Sequence, residues 1–149
     1  MKLKGFTLIE LLVVIGILAI LLAITLIAIN PARQFGLAND TKRKSDINAI
    51  LNAIGQYQAS NTGNLPSDVS GLTVNTVIMI NNTNTPNLCS QLVPNYVPAL
   101  PTDPTLNNQA GISTCSGTWN TDYQISRNAN NRITIYAPSA YLGPIQVTR

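Results

Sequence analysis

The stretch Lys2-Leu3-Lys4-Gly5-Phe6-Thr7-Leu8-Ile9-Glu10 runs directly into an unbroken apolar segment, Leu11 to Ile29. Two lysines precede a Gly-Phe junction, and one carboxylate stands at the head of a segment that carries no other charge. As a helix, Phe6 to Ile29 is about 36 Å long at ~1.5 Å per residue. A hydrocarbon core of roughly 30 Å needs about 20 apolar residues, so the segment spans a bilayer with some tilt. It is too long for the apolar region of an ordinary secretory signal, and no A-x-A site follows it. The alternative, a buried core helix, lacks apolar helical partners in the rest of the chain.

Glu10 is the informative residue. A carboxylate at the centre of a membrane helix costs ~2.5–3.5 kcal/mol, and such residues usually have a functional partner. Near the headgroups it can instead stay hydrated, helped by the positive end of the helix. Cleavage between Gly5 and Phe6 would place a new ammonium four residues from Glu10, on the same helical face. Opposite charges attract strongly at low dielectric. Gly5, with no Cβ, leaves the backbone open to a peptidase at the membrane face.

This leader, junction and acid-headed apolar run resemble the class III signal sequence of type IV pilins and of the pseudopilins of type II secretion. The resemblance covers the leader and the apolar run and is loose beyond them. It implies cleavage at Gly5/Phe6 by a prepilin peptidase, N-methylation of Phe6, and pairing of Glu10 with the Phe6 amine of a neighbouring subunit. It also implies a leader in the cytoplasm. Charge alone does not orient the span, because Lys2 and Lys4 on one side face Arg33, Lys42, Arg43 and Lys44 on the other.

The chain has 149 residues and a formal charge of +3. Loss of Lys2 and Lys4 with the leader leaves seven bases against six acids, +1. Beyond residue 60, Asp68, Asp103 and Asp122 balance Arg127, Arg132 and Arg149, so nothing supports a nucleic-acid partner within one subunit. There is no His, and Glu10 is the only Glu. The commonest general base and metal ligand is therefore missing, no nucleophile–base pair can be assembled, and the reading is not an enzyme. No cofactor is expected.

Asn30-Pro31 ends the apolar run. A proline inside a helix removes a hydrogen bond and clashes with the preceding turn, so a kink is expected at Pro31, with Gly36 a second weak point. Helical pattern resumes to Ser60: Ile47, Ile50, Leu51, Ile54 and Tyr57 recur on one face. The intervening Asp40, Lys42, Arg43, Lys44 and Asp46 read as a solvated collar above the lipid, or as a surface for inter-subunit pairing or anionic lipid. Asn61 to Pro66 stops the helix.

Residues 61–120 read mostly as loop, with one strand over Leu72–Ile80 and a helical turn from Asn87 to Leu92. The proline-rich piece Pro94 to Pro104 resembles the connector before the sheet in minor pseudopilins and some pilins. Thr121–Ser126 and Arg132–Ala137 alternate apolar and polar residues and predict an antiparallel hairpin. Tyr141–Val147 adds an edge strand made marginal by Pro144. Cys89 and Cys115 suggest one disulfide outside the cytoplasm. Asp103 and Asp122 are candidate calcium ligands, because the major pseudopilin of the resembling family binds calcium in its C-terminal loops.

The expected architecture is α+β and pilin-like: a leader over 1–5, a transmembrane and polymerisation helix over 6–29, an amphipathic helix over 30–60, and an extracytoplasmic domain with a small antiparallel sheet over 61–149. The expected role is a structural subunit held singly in the cytoplasmic membrane and then polymerised into a type IV pilus-like filament at the cell surface. Its partners would be copies of itself, the prepilin peptidase, an assembly ATPase and a membrane platform protein. The alternatives are a secretion pseudopilin, a DNA-uptake pilin, and an unprocessed, tethered binding domain.

Overall fold

The computed structural model describes residues 5–106 and 110–149; leader residues 1–4 lie outside the described part. The chain divides into two compact units, Met1–Phe35 and Gly36–Arg149.

In the first unit, helix α1 covers Leu8–Ile29 and none of its side chains is buried within the chain. Its 22 residues are long and apolar enough to cross a membrane. Thr7 caps it. The turn at the other end is Asn30, in the left-handed region (φ 48°, ψ 78°). There the right-handed path stops, and helix α2, Pro31–Ser60, begins at once with proline in its first position. Proline is well tolerated there because that N–H has no helical partner. Asn30 also caps the new helix: its side-chain oxygen accepts the Arg33 N–H at 3.3 Å. The helix runs through Gly36 without a break. Gly36 is therefore not a second weak point, and its lack of a Cβ has another use, described below.

In the second unit, α2 buries Ile47, Ile50, Leu51, Ala53 and Ile54. The spacing read from the sequence is the face that meets the core. A four-stranded antiparallel sheet in the order β1-β2-β3-β4 supplies the other side. Its strands are β1 Ile78–Asn81, β2 Asn120–Arg127, β3 Ile133–Ala137 and β4 Ile145–Thr148. Ile125 pairs with Ile135, which pairs with Val147. Alternation puts Tyr123, Ile125, Ile133, Ile135 and Ala137 into the same core as the α2 face. Tyr123 spans that core and donates its hydroxyl to Asp46 of α2 at 2.8 Å.

Two strands are shorter than their sequence pattern. The first starts at Ile78, not Leu72, because Asn75 adopts φ 62° and its N–H bonds the Arg127 carbonyl in a turn. The last starts at Ile145, because Tyr141 and Leu142 are diverted to α2. A short helix α3, Ser67–Ser70, was not expected from the pattern and has a cap-like purpose. Asp68 accepts the N–H groups of Asn87 and Leu88 at 2.7 and 2.8 Å, so it caps α4, Leu88–Leu92. Asn87, expected to cap α4, makes no side-chain cap bond.

Cys89 and Cys115 form a disulfide, with Cα atoms 5.5 Å apart. It ties α4 to the long loop before β2, where little regular structure holds the chain. The bond closes a loop with a sequence separation of 26. Replacing both cysteines by alanine is expected to cost about 3 kcal/mol, the chain-entropy value for a loop of this size. Guanidinium unfolding of the detergent-solubilised chain measures it; an unchanged midpoint would show that the loop is already fixed by other contacts.

Candidate functional site

The N-terminal site is built by a short extended segment feeding a helix. Residues 5–7 lie outside regular structure and are exposed, as is Glu10 in the first turn of α1. An added Cβ at Gly5 would meet nothing within 4 Å. The Gly5–Phe6 bond therefore lies outside the helix, free of neighbouring atoms on its glycine side.

Thr7 and Glu10 form a capping box. The Glu10 carboxylate accepts the Thr7 N–H at 2.8 Å and the Thr7 hydroxyl at 2.7 Å, while the Thr7 oxygen accepts the Glu10 N–H at 3.3 Å. Three polar groups at the open end of an apolar helix are satisfied at once. Thr7 was not singled out from the sequence, although the signal T-x-x-E before an apolar run was there to be read. The box turns the Glu10 carboxylate back toward the helix start, the end at which a cleaved Phe6 would carry its ammonium. Phe6, exposed at 88%, packs on nothing within the chain.

A second polar assembly lies in the globular unit. Arg43, 2% exposed, donates its fork to Asp103 at 2.7 and 2.8 Å and a third bond to Asp40 at 3.0 Å. Asp103, fully buried, also accepts the Thr105 N–H at 2.9 Å and the Thr105 hydroxyl at 2.5 Å. Asp40 accepts the N–H groups of Tyr141 and Leu142 at 2.8 and 3.1 Å. One arginine thus joins three segments: the start of α2, the loop after Pro101 and the loop before β4. Each buried charge has its partners, which such groups require. Burial pushes the Asp40 and Asp103 carboxyls up, but the donors around them outweigh it and hold both below the ordinary aspartate value of 3.8. Asp103 holds the Arg43 guanidinium above its ordinary value.

Two expectations are corrected here. The cluster from Asp40 to Asp46 is not wholly a solvated collar: Asp40 and Arg43 face inward because Asp103 arrives from a distant loop to meet them. Lys42 does stay at the surface, paired with Asp46 at 3.2 Å. Nor is Asp103 free to bind calcium, since a guanidinium already neutralises it. Asp122 receives only the Ser139 hydroxyl, at 3.4 Å. No group of three metal-ligating side chains occurs among the described residues.

Gly36 receives the Tyr141 ring. An added Cβ would lie 2.6 Å from the ring's first carbon. Gly55, in the same helix, has nothing within 4 Å of that position. Glycine in a helix interior costs roughly 0.5–1 kcal/mol relative to alanine, while overpacking costs about 1–3 kcal/mol. Opposite signs follow: Gly55→Ala is expected to raise stability by about 0.5–1 kcal/mol and Gly36→Ala to lower it by about 1 kcal/mol. Thermal melts of the two variants side by side test this, and equal gains would show that the ring moves away freely.

Residues 1–26 match the family model described as the prokaryotic N-terminal methylation motif. No curated protein and no solved structure matches the chain. The matched residues contain the Gly-Phe junction, the capping box and most of α1, so the geometry and the match describe one and the same segment. The motif implies processing by a prepilin peptidase and a place in pilus or pseudopilus machinery. Ahead of its α+β globular unit, this chain carries the prokaryotic N-terminal methylation motif, the signature of type IV pilins and pseudopilins.

Proposed function

We propose that the chain is a structural subunit that is cleaved between Gly5 and Phe6, methylated on Phe6 and polymerised through α1 into a pilus-like filament. The observation that carries this reading is the joining of the methylation motif to a 22-residue apolar helix that nothing in the chain covers. In the membrane, lipid covers α1. In a filament, the α1 helices of neighbouring copies would replace that lipid. Lipid tails are as apolar as leucine, so the exchange has little hydrophobic driving force of its own. Assembly would then depend on specific pairing and on an energy-driven machine, an ATPase with a membrane platform protein.

Glu10 is the pairing group in this scheme. On cleavage, Phe6 changes from an amide to an ammonium. A Glu10 carboxylate of one copy and the Phe6 ammonium of the next would neutralise each other within the apolar bundle and set the stagger between helices. The globular unit would remain outside the membrane and cover the filament. Its disulfide and Asn- and Thr-rich loops suit an exposed fibre over the shorter pseudopilus of secretion, which is the second reading.

The deciding experiment is intact-mass and N-terminal analysis of the protein taken from its native membrane. A chain beginning at N-methylated Phe6 is expected. A chain that still carries Met1 to Gly5 would remove the polymer reading and leave a tethered membrane protein.

A further inference from the structure

We infer that the Tyr141–Leu142 loop is a second membrane contact, seated in the headgroup layer of the bilayer that α1 spans. This rests on the reading of α1 as the span. Leu142 is 71% exposed and Tyr141 55%, the two highest values among the large apolar side chains of the globular unit. An exposed leucine alone says little. What distinguishes this one is that the fold holds it out. Asp40 clamps both backbone N–H groups, the Tyr141 ring rests on Gly36, and Gly143 at φ 115° turns the chain immediately afterwards.

Chain length then sets the loop's height. Asp40 lies ten residues beyond Asn30 in α2. At ~1.5 Å per residue it is no more than about 15 Å along the chain from the end of the apolar run, whatever direction α2 takes. The headgroup layer occupies roughly the first 5–8 Å of that distance. Tilt of α1 or a bend at Asn30 only brings the loop nearer the lipid. Tyrosine, with an apolar ring and a polar tip, is the residue type enriched at that depth.

Charge points the same way. Among residues 31–46 both acids are committed: Asp40 is buried against Arg43, and Asp46 is bound by Lys42 and Tyr123. Arg33 and Lys44 are exposed bases. The segment beside the loop therefore presents positive charge, suited to anionic headgroups. A globular unit held at two points would be restrained in its rotation over the membrane before it is assembled.

The test uses the full-length chain carrying Leu142→Trp, reconstituted at low density in vesicles of phosphatidylglycerol and phosphatidylethanolamine. Vesicles whose lipids are brominated near the headgroup provide the quencher. The only native tryptophan, Trp119, is buried and serves as the reference. The added tryptophan is expected to emit at shorter wavelength than in water and to lose the larger part of its emission to the brominated lipid, while Trp119 is unchanged. Emission at the water position without quenching, from protein that floats with the vesicles, would overturn the inference and leave the span intact. A blue shift that grows with protein density and resists the quencher would assign the loop to a second copy and equally overturn it. Protein that fails to float with vesicles would overturn the membrane reading and this inference with it.

Discussion

Replacing Arg43 by methionine is expected to destabilise the globular unit by about 3–5 kcal/mol, the usual cost of stranding buried carboxylates by removing their partner. Methionine keeps much of the volume, so the loss reports charge and not a cavity. Asp103 would suffer most, because the fork supplies two of its four donors, whereas Asp40 retains two backbone N–H groups. Adding Asp103→Leu to Arg43→Met should therefore recover part of the loss, since an apolar pair strands no charge. Guanidinium unfolding in detergent, followed through the aromatic circular dichroism, measures both variants. A loss below about 1 kcal/mol for Arg43→Met would place the trio among weak surface pairs.

The same trio gives the protein an acid limit. Asp40 and Asp103 both titrate below the ordinary aspartate value when folded, so the unfolded chain binds their protons more readily. The stability they contribute is fully present above about pH 4 and is lost as pH falls through the folded values. The unfolding midpoint should drop over that acid range in the wild type and change less steeply in Arg43→Met. A wild-type midpoint that is flat there would show that neither carboxylate is linked to folding.

Glu10→Leu is expected to leave cleavage and membrane insertion in place and to remove the subunit from filaments. A carboxylate in lipid costs ~2.5–3.5 kcal/mol, which makes the leucine variant the better membrane protein. If pairing with the next subunit's Phe6 ammonium offsets a cost of that size, incorporation should fall on the order of a hundredfold, since each 1.4 kcal/mol is a factor of ten. Comparing processed protein in the membrane fraction with protein in sheared filaments measures the ratio. Filaments at wild-type yield would exclude Glu10 as the recruiting group and shift assembly to contacts of the globular unit.

What could be read from the chain itself depends on neighbours in sequence. The membrane-length helix follows from one apolar run, the break near Pro31 from a fixed φ, the β2–β3 hairpin from alternation, and the core face of α2 from Ile47, Ile50, Leu51 and Ile54. Each of these signals is complete within a few turns or one strand. The Thr7–Glu10 box belongs with them, being a local pattern that was there to be read.

The second group of features has no local signal. Arg43 and Asp103 are 60 residues apart, and Asp40 reaches Tyr141 across 101. Within α2, Arg43 is as polar as its neighbours Lys42 and Lys44, and nothing nearby marks it for burial. Gly36 looks like a helix defect until the Tyr141 ring is laid on it, and Asp103 looks like a metal ligand until a guanidinium fills its oxygens. Sequence alone determined the anchor, the processing junction and the secondary structure that carries the core. Only tertiary structure decided which charges are buried and which apolar side chains are held out, because burial is decided by what a distant segment brings to the site.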